Sequence, residues 1–139
     1  MLDKPLAQAR LYLATPYSGT AEEQEVRFDM ACQLAGILIW KGWSVFSPIA
    51  HSKPIAEASG LPHNAAFWSQ LNSTWLRWST DFVVAKIEDW KESKGVRFEL
   101  TEARKLGKGL WTVSIGHYKH YLNPSMEVHF ERLTGNSLC

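Results

Sequence analysis

The sequence has few cysteines, no excess of charge of one sign and no long hydrophobic run. Only two of its 139 residues are cysteines, which is too few for a disulfide framework and favours a reducing compartment. A formal net charge of +1 gives no sign of the basic surface that a nucleic-acid polymer needs. No stretch reaches the roughly 18 apolar residues of a membrane span, and the N-terminus lacks the apolar core of a secretory signal. We therefore expect a cytoplasmic protein with neither a membrane nor a nucleic-acid partner.

The sequence also lacks the patterns of common cofactor and metal sites. No Gly-x-Gly-x-x-Gly motif follows the first predicted strand, which argues against a dinucleotide. The Gly-Lys-Gly segment at residues 107–109 follows a predicted helix instead of preceding one, so it is not a phosphate loop. His117, His120 and His129 have no cysteine or carboxylate at metal-ligand spacing. We expect no cofactor and no metal.

What the sequence does contain is a regular alternation of short apolar runs and helical periodicities. Strands are predicted at residues 11–15, 43–46, 81–87 and 110–115, and helices at 21–41, 67–78, 94–106 and 124–132. Residues 47–62, which contain three prolines, are predicted to form a long loop. Alternating strands and helices are typical of parallel βαβ units. The expectation is a single α/β domain over residues 1–139, flavodoxin-like or Rossmann-like. Its doubly wound, mostly parallel sheet would have four to five strands, with helices on both faces.

Glu99 breaks the helical pattern of residues 94–106. On a helical wheel it falls between Ala103 and Leu106 on the apolar arc, whereas Glu102 lies on the outer flank of that arc. A carboxylate on a buried face is costly unless something compensates for it. Its place near the start of a helix after a strand supplies backbone N–H groups and a favourable dipole. This makes Glu99 a candidate nucleophile, with stabilisation of its own helix as the alternative.

Three stretches form an ordered pattern: LYLATPYS at residues 11–18, VFSPIAHS at 45–52 and WKESKGVRFELTEA at 90–103. Within them a tyrosine in the first strand precedes a loop of small residues and proline, and a Gly-x-x-x-Glu-x-x-x-Ala segment opens a later helix. These positions are Tyr12, the loop from Ala14 through Pro16 to Tyr17, and Gly95, Glu99 and Ala103. The ordered set resembles the nucleoside 2-deoxyribosyltransferase superfamily, especially a less characterised branch of it.

The resemblance implies a reaction and a set of site residues. Glu99 would attack the anomeric carbon of a 2-deoxyribosyl group and form a covalent glycosyl-enzyme, which another base or water resolves. Tyr12 and Tyr17 would contact Glu99 or the ligand, and Gly95 would let the backbone approach the sugar or phosphate. Ser93 stands where relatives that act on 5′-monophosphates carry a serine, which implies phosphate binding. Helix capping by Ser93, a simple turn at Gly95 and plain packing of Tyr12 are the alternatives.

Three further residues are candidates from their positions. Arg27, early in the first helix, is placed to clamp a phosphate. His51, in the proline-containing segment, is placed to act as an acid or to close over a ligand, and Trp90 is placed to stack on a base. The corresponding alternatives are a solvated arginine, an ordinary loop histidine and a packed tryptophan.

Asn72 departs from the family pattern. Relatives often carry an aspartate there, in a Phe-Trp-x-x-x-Asp arrangement, and asparagine hydrogen-bonds a base but does not transfer a proton. Asp81 begins its strand and so faces the wrong end of the sheet to replace it. The identity of the general acid is therefore open, although Asn72 stays a catalytic-site candidate.

The expected activity is cleavage or exchange of the N-glycosidic bond of a 2-deoxynucleoside or its 5′-monophosphate. The ligand would be a small nucleoside or nucleotide. One alternative is a non-catalytic nucleotide-binding or sensing module that uses the same crevice. Another is a structural domain whose seven tryptophans build an oligomer interface. The resemblance also implies a homodimer or a larger homo-oligomer.

Overall fold

The computed structural model describes residues 4–116 and 125–134, which form one five-stranded sheet with helices beside it. The strands are β1 (Arg10–Ala14), β2 (Ser44–Phe46), β3 (Asp81–Ala85), β4 (Gly109–Ile115) and β5 (Val128–Arg132). The helices are α1 (Ala21–Trp40), α2 (Pro48–Ser59), α3 (Ala65–Trp78) and α4 (Lys94–Lys105). In the described ranges no helix is long and apolar enough to cross a membrane.

The strand order is β2-β1-β3-β4-β5, with β5 alone antiparallel to its neighbour. This is the flavodoxin-like order, so the predicted doubly wound, mostly parallel α/β sheet is confirmed. The chain leaves β1 for β2 on one side and later returns to β3 on the other. In open sheets of this kind ligands bind outside the carboxyl ends of the strands at that switch point.

The core has two layers because alternate strand residues face opposite sides of the sheet. Leu11 and Leu13 of β1 pack with buried residues of α1 on one face. Tyr12 and Ala14 pack on the other face with buried residues of α3 and α4. Helices therefore cover both faces, which explains why the parallel strands appear in the sequence as continuous apolar runs.

Side-chain caps determine where the helices after β1 and β3 begin. Thr20 and Glu23 form a reciprocal capping box at the start of α1. Ser93 accepts a hydrogen bond from the Val96 backbone N–H at the start of α4. Each cap satisfies an N–H that a helix start would otherwise leave unpaired. Both helices consequently begin beside the carboxyl edge of the sheet.

The predicted long loop over residues 47–62 is wrong, because Pro48–Ser59 forms α2. Ser47 caps this helix, and Pro48 lies in its first turn, where a missing N–H costs no hydrogen bond. Pro54 lies inside the helix on an exposed position. A proline that starts a helix and a proline that ends one look alike in a sequence, which is why the segment was misassigned.

The predicted helix over residues 124–132 is wrong in its described part, because Val128–Arg132 forms β5, antiparallel to β4. Val128 and Phe130 both pack against the α1 side of the core, which is the period of a strand and not of a helix. Pro124, which suggested a helix start, lies outside the described residues.

Gly109 begins β4 at a position with no room for a side chain. An added Cβ would overlap the carboxylate of Asp81, its pairing partner on β3, which accepts a hydrogen bond from Trp111 Nε1 at 2.7 Å. We expect Gly109→Ala to lower the free energy of unfolding by about 1–3 kcal/mol in urea denaturation. Gly36→Ala is the matched control, since Gly36 occupies an exposed position of α1 and an added Cβ there would contact no other part of the protein within 4 Å. It should raise stability by about 0.5–1 kcal/mol. Equal stability of Gly109→Ala and the wild type would contradict this account.

Candidate active site

A cavity of about 360 Å³ lies at the carboxyl edge of the sheet, beside the switch point between β1 and β3. Its wall comes from the end of β1 and the loop after it, from α1 and α2, from α3 and the segment before it, and from Ser93 and one side of α4 as far as Glu102. A volume of this size suits a small-molecule ligand.

Glu99 is a half-buried carboxylate in this cavity, and Tyr12 holds it in place. The Tyr12 hydroxyl donates a hydrogen bond to Glu99 Oε2. The Tyr12 ring is buried in β1, with its centroid 5.7 Å from that of Phe46 and 5.9 Å from that of Phe82. Because the ring is fixed by core packing, the position of the carboxylate is fixed by the core as well.

Burial and the tyrosine act in opposite directions on the Glu99 carboxyl. Burial raises the pKa of Glu99 to about 7, while the hydrogen bond from Tyr12 lowers it by stabilising the ionised form. Burial and the neighbouring carboxylate raise the pKa of Tyr12 well above its ordinary range, so the phenol keeps its proton and stays a donor. A carboxyl that titrates near neutral pH in a cavity is a functional-site candidate on physical grounds.

The start of α4 contributes a second polar wall. Ser93 lines the cavity while its hydroxyl caps the helix at 3.2 Å from the Val96 nitrogen, so the capping role predicted as an alternative is present. Gly95 also lines the cavity, and an added Cβ there would meet only Ser93 Oγ at 3.9 Å. Thr15, at the end of β1, is 6% exposed, and its Oγ1 has no hydrogen-bond partner among the described residues.

Helix α3 supplies an amide and an indole. Asn72 and Trp68 are one helical turn apart, and both line the cavity. Trp68 is buried, its Nε1 donates to the Pro62 carbonyl at 2.7 Å, and its ring packs against those of Phe67 and His51. Asn72 Oδ1 is buried and finds no hydrogen-bond partner in the described part of the chain. It is therefore an acceptor for a ligand N–H group.

The structure brings together some of the residues predicted from the sequence and separates others. Those in the cavity lining are Tyr12, Tyr17, Asn72, Ser93, Gly95 and Glu99. Those outside the lining are Ala14, Pro16, Arg27, His51 and Trp90. Ala14 and Pro16 are buried, and His51 packs against the rings of Phe46 and Trp75. Trp90 packs against the α4 side of the core.

Arg27 ties two loops together. Its guanidinium donates to the Ser18 carbonyl in the loop after β1 and to Asp89 Oδ2 at 3.0 Å in the loop after β3. Asp89 has a left-handed backbone, with φ of 65°. The arginine thus holds together the two loops beside the cavity, and two of its donors are used within the protein.

Several residues of the lining have no signal of their own in the sequence. Thr15 lies between Ala14 and Pro16, which the resemblance does point to, and Trp68 precedes Asn72 by one helical turn. Ile49 and Ser52 lie on α2, in a segment whose prolines predict a loop. Glu102 lies on the outer flank of the apolar arc of the helical wheel, and the structure places it in the cavity lining three residues after Glu99. Its spacing from Glu99 was the available signal.

The described residues contain no cluster of three or more histidine, cysteine, aspartate or glutamate side chains that could hold a metal ion. His129 lies within the described part of the chain. His117 and His120, which were weighed with it from the sequence, lie outside that part.

Comparison with known proteins identifies one matching family. The model of a family described as a domain of unknown function (DUF1937) matches residues 9–115. No curated protein matches the sequence. Among solved structures the chain is similar to the 2-deoxyribosyltransferase of the psychrotolerant bacterium Bacillus psychrosaccharolyticus. That match has 19% identity, covers 73% of this chain and 69% of the other, and has a TM-score of 0.49.

The raised pKa of Glu99 predicts a pH-dependent penalty on folding stability. The folded protein binds the proton of the Glu99 carboxyl more tightly than the unfolded chain does. The stability that this proton contributes is therefore complete below the ordinary pKa of 4.5 and is lost as the pH rises to about 7. Glutamine stays neutral at every pH. We therefore expect the free energy of unfolding of Glu99→Gln to exceed that of the wild type by about 2 kcal/mol at pH near 8. Near pH 5 the two should differ by less than about 1 kcal/mol.

Urea denaturation at both pH values measures this difference. Glu92→Gln, which removes an exposed carboxylate outside the cavity lining, is the control and should show no such dependence. A Glu99→Gln difference of the same size at both pH values would show that the Glu99 carboxyl does not titrate near neutrality.

Proposed function

The chain belongs to the DUF1937 family, and we propose that it cleaves or exchanges the N-glycosidic bond of a 2-deoxynucleoside or its 5′-monophosphate. The observation that carries this proposal is the hydrogen bond from Tyr12 to Glu99, which holds a carboxylate in the cavity at the switch point of the sheet. Such a carboxylate has the position and the surroundings of a nucleophile.

The first chemical step uses the two oxygens of Glu99 differently. Tyr12 holds Oε2, and we assign the attack on the anomeric carbon to Oε1. A bond forms between Glu99 and the sugar as the bond from the sugar to the base breaks, and the base leaves with a proton from an acid. Water or another base then attacks the same carbon and releases Glu99.

The protonation state of Glu99 suits this role near neutral pH. A pKa of about 7 leaves a large fraction of the carboxyl ionised there, and partial burial makes the carboxylate less solvated than one on the surface. Tyr12 keeps the reactive side chain in one orientation, which removes a cost that would otherwise fall on the reaction step.

The remaining polar groups of the cavity match the parts of a nucleotide. The start of α4 with Ser93, together with the unpartnered hydroxyl of Thr15, favours an anion such as a 5′-phosphate. Asn72 Oδ1 is an acceptor for an N–H group of a base, and Trp68 lies one helical turn away in the same lining. A sugar between these groups would bring its anomeric carbon to Glu99.

A nucleotide-binding module without catalysis is the second candidate, and Asn72 favours it. An amide at this position binds a base but supplies no proton to it. The same cavity would then retain a nucleoside or nucleotide and leave it intact.

Base release separates the two candidates. A panel of 2-deoxynucleosides and their 5′-monophosphates is incubated with the protein, and free base is quantified by chromatography. We expect release by the wild type and by the control Glu92→Gln, and a fall of at least about 1,000-fold in Glu99→Ala, because the nucleophile is lost. Intact-mass analysis with a slowly turned-over substrate should detect a 2-deoxyribosyl adduct on the wild type and on Glu92→Gln, and none on Glu99→Ala.

Other outcomes would contradict one or both of the candidate functions. Release that persists in Glu99→Ala would exclude Glu99 as the nucleophile. Thermal stabilisation by nucleotides without any base release would favour the binding module. The absence of both release and stabilisation would contradict both candidates.

A further inference from the structure

The proposed reaction needs a proton donor for the departing base, and few side chains in the cavity qualify. Besides Glu99, the titratable side chains in the described lining are Tyr12, Tyr17, His63 and Glu102. Burial raises the pKa of both tyrosines, which makes them weak acids, and the Tyr12 hydroxyl is already donated to Glu99. His63 and Glu102 remain.

The helix geometry favours Glu102 over His63. Residues three apart on an α-helix are neighbours on its surface, with Cβ atoms about 5–6 Å apart, and both Glu99 and Glu102 line the same cavity. Side chains that start from neighbouring Cβ atoms can bring their carboxyl groups to the separation of about 5–5.5 Å found in enzymes that work through a glycosyl-enzyme. His63 is exposed in the segment before α3, where no secondary structure sets its distance from Glu99.

We propose that Glu102 is the general acid and base of this site, paired with Glu99 on the same helix. This inference rests on the proposed function. It assigns to α4 both carboxyl groups of the reaction and explains how an asparagine at position 72 is compatible with catalysis.

Glu102 gives up a proton in the first step of the reaction and takes one back in the second. In the first, Glu99 bonds to the anomeric carbon, the bond to the base breaks, and the proton of Glu102 passes to a ring nitrogen of the departing base. In the second, the Glu102 carboxylate takes a proton from water or from the incoming base. The oxygen or nitrogen so activated bonds to the anomeric carbon, and Glu99 leaves as a carboxylate.

The surroundings of the two carboxyl groups differ. The hydrogen bond from Tyr12 favours the ionised form of Glu99, which is the form that a nucleophile needs. Glu102 has a different neighbour, because Lys105 Nζ lies 3.6 Å from its Oε1. Two carboxyl groups in different surroundings suit two different roles.

The test compares leaving groups that do and do not need a proton. 2′-Deoxyguanosine must be protonated as guanine departs, whereas 7-methyl-2′-deoxyguanosine already carries a positive base. Both are used as nucleosides and as 5′-monophosphates, with non-enzymatic release subtracted. Glu102→Gln should slow guanine release by about 100-fold or more and 7-methylguanine release by less than about tenfold. Glu102→Asp should recover part of the loss, and Glu92→Gln and the wild type serve as controls.

The outcomes separate the two proposals. Equal losses for both substrates in Glu102→Gln would assign Glu102 a structural role and overturn this inference while the proposed function stands. The selective loss appearing in His63→Gln instead would move the acid to His63 and likewise overturn it. A wild type that releases neither base beyond the non-enzymatic rate would overturn the proposed function and this inference with it.

Discussion

The hydrogen bond between Tyr12 and Glu99 connects the core of the sheet to the cavity. Tyr12 is 1% exposed, and its aromatic ring packs between other rings, so its hydroxyl needs a partner inside the protein. Glu99 needs a donor for the same reason, because a carboxylate withdrawn from water is costly without one. Each group satisfies the other. Removing either would leave a polar atom without its partner.

Several features of the fold maintain this contact. The Ser93 cap sets where α4 begins, and the helix then turns Val96, Leu100 and Ala103 into the core. With that face buried, Glu99 and Glu102 both reach the cavity. Arg27 holds the loops after β1 and β3 together at the same edge of the sheet. The site is thus carried mainly by rigid elements, which suits chemistry that needs a fixed distance between groups.

One group of the cavity lowers the folding stability at neutral pH, whereas the other polar groups are neutral. A carboxyl with a pKa near 7 reduces stability at neutral pH, and no packing requirement demands it. By contrast, the hydroxyls of Thr15 and Ser93 and the amide of Asn72 are neutral groups that suit hydrogen bonding to a polar ligand. A costly carboxylate at the switch point of a flavodoxin-like sheet favours a chemical role, while the amide at position 72 is the main argument for binding alone.

The sequence by itself determined the strands and helices whose burial repeats regularly, and it singled out Glu99. Local periodicity encodes which residues face the core, and Glu99 was visible because it interrupts that periodicity. The resemblance left open whether Tyr12 contacts Glu99 or the ligand, and only the tertiary structure shows the hydrogen bond itself, since these residues are 87 positions apart and no local pattern joins them. The same tertiary structure decided that Pro48–Ser59 is a helix and Val128–Arg132 a strand, because prolines and short segments have the same local pattern in different folds. The tertiary structure also decided that Glu102 lines the cavity, because its position there depends on how α3 and α4 pack, which the pattern of a single helix does not specify.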